Sequence, residues 1–152
     1  MENIVSHFNF EESISIGVQR ADVAATNKAE ISEIFNEFSQ AFQNASSGRV
    51  HSAIKSKQRK IYEKNHSMLA MAGMFNSNYN YENYKALVLS NNKKEFTIAE
   101  IIENEDGYPI RLKIQDDTSS YSDKDSLAEG LSRLASQTEV GKYFKLLLQD
   151  DD

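Results

Sequence analysis

The residues able to do chemistry in this chain are few and scattered. His7, His51 and His66 stand far apart, with no helical or strand spacing that puts two on one face, so no metal or cofactor is expected. Adjacent carboxylates occur at Glu11-Glu12 and Asp116-Asp117, but neighbours in an extended chain point apart, and nothing beside them would desolvate one into a general acid. Asp116, Asp117, Asp123 and Asp125 are spaced like part of a cation loop, yet the central glycine and closing glutamate of an EF-hand are missing. With no cysteine, thiolate ligands, cysteine nucleophiles and disulfides are excluded, and the six glycines make no phosphate loop, serine elbow or dinucleotide fingerprint. No catalytic residue is assigned, and the chain reads as a non-enzyme.

Two constellations stand above that background. Glu100 interrupts an apolar alternation, where its carboxylate would share a face with Phe96, Ile98 and Ile102 at a high cost if unpaired. A β-bulge between Ala99 and Ile102, or an edge position, would release it to water. The other reading is a buried functional carboxylate held by Arg111 or a tyrosine hydroxyl. The second constellation is basic: Arg49, Lys55, Lys57, Arg59, Lys60 and Lys64 against Glu63 alone, net +5, which leaves −11 for the remainder. Tyr79, Tyr81 and Tyr84 follow it, and cations that track phosphates beside rings that stack on bases are how single-stranded nucleic acid is held. The formal charge of −6 ranks a solvated face ahead of that reading.

The elements that must position these groups are centred on residues 84–115. Ala86, Leu87, Val88 and Leu89 form an unbroken apolar run, as in a central strand buried on both faces. Asn91-Asn92 turns the chain into a second strand, 95–103. Gly107 closes the next turn, and Tyr108, Ile110, Leu112 and Ile114 then alternate with Pro109, Arg111, Lys113 and Gln115. Ile14, Ile16 and Val18 alternate too and predict a first strand over 13–19 against an edge of that sheet.

Ile31, Ile34, Phe35, Phe38 and Phe42 predict a helix capped at Thr26 or Asn27 and ended by Gly48. Ile54, Ile61, Met68 and Phe75 recur every seven residues and predict a second helix over about 52–75, folded back as a helical hairpin; a strand or a free arm is the alternative for its basic half. Residues 76–83 read as a polar loop and 116–125 as an acidic one. Two C-terminal helices follow, the first capped by Ser122 or Asp123 with Leu127, Leu131, Leu134 and Ala135 on its stripe. The second opens at Thr138 with Val140, Tyr143, Phe144, Leu147 and Leu148, and a frayed acidic tail covers 149–152.

The expectation is therefore one α+β domain spanning 1–152, with an antiparallel sheet of about four strands, an N-terminal helical hairpin and two C-terminal helices. The first ten residues lack a basic, apolar leader and no stretch reaches the roughly 20 apolar residues of a membrane span, so a cytoplasmic protein away from membranes is expected. The function favoured is a non-enzymatic module that binds another protein, one with a basic surface if charge steers the encounter. In size and charge it is of the same physical kind as immunity proteins, small inhibitors and chaperones. Its candidate acidic surface is Asp116, Asp117, Asp123 and Asp125. A nucleic-acid regulator using the basic segment ranks second, and an enzyme assembled from Glu100, Arg111 and one histidine third. Self-association through an uncovered sheet edge is a further expectation.

Overall fold

The computed structural model describes residues 8–62 and 79–149. A long helix comes first, α1 (Phe10–Ala45), followed by five strands, β1 (His51–Tyr62), β2 (Tyr79–Ser90), β3 (Glu95–Ile102), β4 (Ile110–Ile114) and β5 (Asp117–Tyr121). Two helices close the chain, α2 (Lys124–Ala135) and α3 (Thr138–Gln149). The strands form one antiparallel meander in the order β1-β2-β3-β4-β5, so the fold is α+β, with five strands where about four were expected.

Strand β2 is the centre of the core. Leu87 and Leu89 join Ile101, Ile110 and Leu112 in a single apolar cluster with Ile34 and Phe35 of α1, Leu127, Leu131 and Leu134 of α2, and Val140 and Leu147 of α3. Ala86 and Val88 point to the opposite face, outside that cluster, and are just as completely buried. Rings fasten the helices to one another and to the sheet: Phe42 of α1 lies 5.7 Å from Phe144 of α3, and Phe96 of β3 stacks on Tyr143 at 4.3 Å.

Four sequence expectations are corrected. Residues 13–19 are helical, not a strand: Phe10, Ile14 and Val18 are four apart and fit a helix as well as Ile14, Ile16 and Val18 fit a strand. With no proline or turn sequence before Asn27 to stop it, the helix runs for 36 residues from an Asn9 cap, whose side chain accepts from Glu12 N–H at 3.1 Å. Asn27 is thus no cap, and its amide donates instead to the Asp106 carbonyl at 3.1 Å. The second helix of the expected hairpin is not formed over its described part, because His51–Tyr62 is a strand, the alternative weighed for the basic half; Met68 and Phe75 of that expected helix lie outside the described residues. The acidic loop is the third: Asp117–Tyr121 pairs with β4 through a two-residue turn, a strand hidden by having only Tyr121 to bury. Likewise the polar loop over 76–83 gives way to strand from Tyr79, with 76–78 outside the described residues, as are 150–152 of the acidic tail.

Two glycines fix close approaches. Gly107 has φ +89°, and a Cβ there would stand 2.5 Å from Asn27 Cβ, so the β3–β4 turn seats directly on α1. Next to it the Tyr108 hydroxyl donates to Glu30 at 2.8 Å, and burial followed by that carboxylate holds the phenol well above its ordinary value. Gly130 of α2 lies against the Tyr121 ring, where a Cβ would overlap it. Gly130→Ala is expected to cost about 1–3 kcal/mol by overpacking, while Gly141→Ala in α3, where a Cβ meets nothing within 4 Å, should add roughly 0.5–1 kcal/mol through helix propensity. Urea denaturation of the two variants reads both signs.

Candidate functional site

Strand β1 is one edge of the sheet, and its alternation sends Lys55, Lys57 and Arg59 to one face. In the ladder these residues stand opposite Ala86, Tyr84 and Glu82 of β2. Lys55 and Lys57 reach across β2 to Glu95 of β3, at 2.5 and 3.0 Å. Arg59 holds Glu82 at 2.8 Å through Nε and lies 4.5 Å over the Tyr84 ring, a cation–π contact. Its Nη1 is also 2.8 Å from Glu100 Oε1, but off line for a hydrogen bond, and that buried oxygen has no aligned donor among the described residues.

Glu100 reaches this face by a bulge. The β2–β3 register passes from Val88↔Thr97 to Leu87↔Ala99, which leaves Ile98 as the extra residue. Without it Glu100 would share the face of Phe96, opposite Leu89 and toward the core. With it Glu100 stands opposite Ala86 and Lys113 on the polar face. The bulge falls just ahead of the 99–102 interval expected from the sequence. The partner of Glu100 is Arg59 rather than Arg111, which is exposed, opposite Ile102 and Ser120.

The other expected residues are dispersed. Arg49 is used at the α1–β1 turn, donating through Nε to the Ser46 carbonyl and through Nη1 to that of Leu148. Lys60 is exposed, Tyr81 is 60% exposed, Tyr79 opens β2, and Lys64 lies outside the described residues. The basic block is therefore not an open cationic stripe, since Glu82, Glu95 and Glu100 match the three cations on its polar face. The acidic residues are split too: Asp116 and Asp117 sit at the β4–β5 turn, while Asp123 and Asp125 begin α2 beyond the other end of β5. Asp123 is the α2 cap, its carboxylate held below the usual range by the Ser126 N–H at 2.8 Å. His7 and His66 fall outside the described residues, and His51 is eight residues along β1 from Arg59, roughly 26 Å at strand rise. No group of three His, Cys, Asp or Glu side chains among the described residues is placed to hold a metal ion.

The outer edge of β1 is a feature that sequence reasoning missed. Ser39 of α1 donates its hydroxyl to the Ser52 carbonyl at 2.9 Å and accepts the Ser52 N–H at 3.1 Å, standing in for a neighbouring strand. Because both main-chain groups of Ser52 point outward, those of Ile54, Ser56 and Gln58 do as well, and no partner meets them among the described residues. Beside this edge a cleft of about 690 Å³ opens between α1 and the sheet, with Ile31, Phe35, Ile54, Leu87 and Ile110 as its apolar lining and Lys28 at its margin. The alternation Lys55, Lys57, Arg59 was the available signal for the strand; its edge position depends on pairing that no local pattern records.

The carboxylates of Glu95 and Glu82 are both held below the ordinary 4.5, Glu95 chiefly by its bond to Lys55 and Glu82 chiefly by its bond to Arg59. A carboxylate with a depressed native pKa stabilises the fold above its unfolded value, and that contribution fades as pH falls through the native one. Glu95→Gln is therefore expected to be less stable than the parent at neutral pH, with the difference shrinking as pH falls below the ordinary carboxylate value and through the lower native one; denaturation at a series of pH values from about 7 downward measures it. The chain matches no family model, no curated protein and no solved structure, so a functional reading rests on this geometry.

Proposed function

We propose that the protein is a protein-binding module that takes an extended segment of its partner onto the open edge of β1. The observation that carries the reading is the run of main-chain groups at Ile54, Ser56 and Gln58 that meet no partner among the described residues, beside the apolar cleft under α1. An added strand would satisfy those groups, and its alternate side chains would enter the cleft, which gives specificity to an otherwise sequence-blind contact. Apolar side chains suit the lining of Ile31, Phe35 and Ile54. Folded proteins usually blunt such edges, so an edge left open next to a cleft has a use. Capture of an extended segment suits an inhibitor or an escort of another protein, and the net charge of −6 favours a basic partner. A nucleic-acid regulator has less support, because Lys55, Lys57 and Arg59 already face carboxylates.

The test is a peptide array of extended segments with alternating apolar residues, read with the parent chain and with Ser56→Pro. Proline there removes an outward N–H that the β1–β2 ladder does not use, so the fold should be kept. Bound peptides are expected to lose at least ~10-fold in affinity to Ser56→Pro, the equivalent of one main-chain contact, with the circular dichroism spectrum unchanged. Peptides that bind parent and variant equally would refute edge pairing.

A further inference from the structure

The N-terminal part of α1 is a separate feature from the β1 cleft. Every residue from 10 to 23 is exposed, although the segment carries Phe10, Ile14, Ile16, Val18 and Val23, with Phe8 just before it. Exposure of these six side chains runs from 42% at Ile16 to 74% at Phe8. An apolar helix of this kind leaves more surface in water than a solitary domain commonly does, and a helical arm without packing is only marginally stable.

We infer that a second copy of this chain covers the arm, the two α1 arms pairing antiparallel about Gly17. Phe10, Ile14, Gly17, Ala21 and Ala24 follow a spacing of four and three that lines one side of a helix, with no charge on it until Lys28. The large residues lie before Gly17 and the small ones after it. An antiparallel pair with its two-fold axis at Gly17 sets Phe10 level with Ala24 of the other copy and Ile14 within one residue of the level of Ala21, large beside small, and the helices approach at the glycine. This is the self-complementarity that a two-fold contact demands. A parallel pair would stack Phe10 on Phe10 and leave alanine facing alanine. Ala24 also borders a shallow recess of about 360 Å³ with Ile16, Arg20, Val23 and Asp106, a seat for the incoming Phe10 ring. Phe10 and Ile14 carry the apolar surface of the stripe itself, and Ile16 and Val23 border the recess beside Ala24 that receives the other copy.

The test is sedimentation equilibrium of the full chain with three sets of variants. The parent is expected at twice its 17.2 kDa in the micromolar range, and Ile14→Glu at 17.2 kDa with its helical dichroism retained. Ser56→Pro is expected to stay dimeric, which separates this contact from pairing at the β1 edge. Because the chain has no cysteine, Phe10→Cys and Ala24→Cys proteins can be mixed and oxidised: a disulfide only in the mixture is expected from the antiparallel pair. A monomeric parent at 100 µM as a working ceiling, a dimer indifferent to Ile14→Glu, or a disulfide within Phe10→Cys alone would each overturn the inference.

Discussion

The double-sided burial of β2 is the constraint on which the rest of the molecule depends. Ala86 to Leu89 expose almost nothing, so both sheet faces must be shielded over this strand. On one face Leu87 and Leu89 bind the three helices into a single cluster. The other cannot be an ordinary wet face, since Ala86 and Val88 lie on it. Strands β1 and β3 are thereby held on either side of a strand that cannot slip, because a shift of one residue would exchange its two buried sets.

From that fixed register follows the arrangement of charge. Lys55, Lys57 and Arg59 meet Glu82, Glu95 and Glu100 only because β1 and β3 flank β2 in this register and because Ile98 is inserted as a bulge. The bulge turns Glu100 from the core side to the side of Arg59, while Ile101 goes to the core. Exposed ion pairs contribute little one by one, so this network matters more for registering the strands than for overall stability. It also engages three of the six cations that the sequence offers to nucleic acid, Lys55, Lys57 and Arg59.

Local signals made much of the fold legible. Gly107 and Gly48 take the positive φ their turns require, Asp123 caps α2, and the alternation from Ile110 to Ile114 is a strand. Where a signal served two periods, the longer-range outcome could not be read. Ile14 and Val18 satisfy a strand and a helix alike, and Ile54 and Ile61, seven apart, imitate a helical repeat although an odd spacing sends them to opposite faces of a strand. The basic residues of the candidate site were legible as residue types, their acidic partners on β2 and β3 were not, and the open edge of β1 was invisible because edges are a property of topology. Asp116, Asp117, Asp123 and Asp125 looked like one surface in sequence and are divided by a strand in space.

An edge strand whose outward groups meet no partner among the described residues, beside a cleft able to receive side chains, is the centre of this account. Amide hydrogen exchange of the free chain tests it most directly, residue by residue along β1. Lys55, Lys57 and Arg59, whose N–H groups enter the β2 ladder, should be protected, while Ile54, Ser56 and Gln58 should exchange at close to the rate of exposed amides. Uniform protection along 54–59 would mean that the edge is already paired, and would contradict the account.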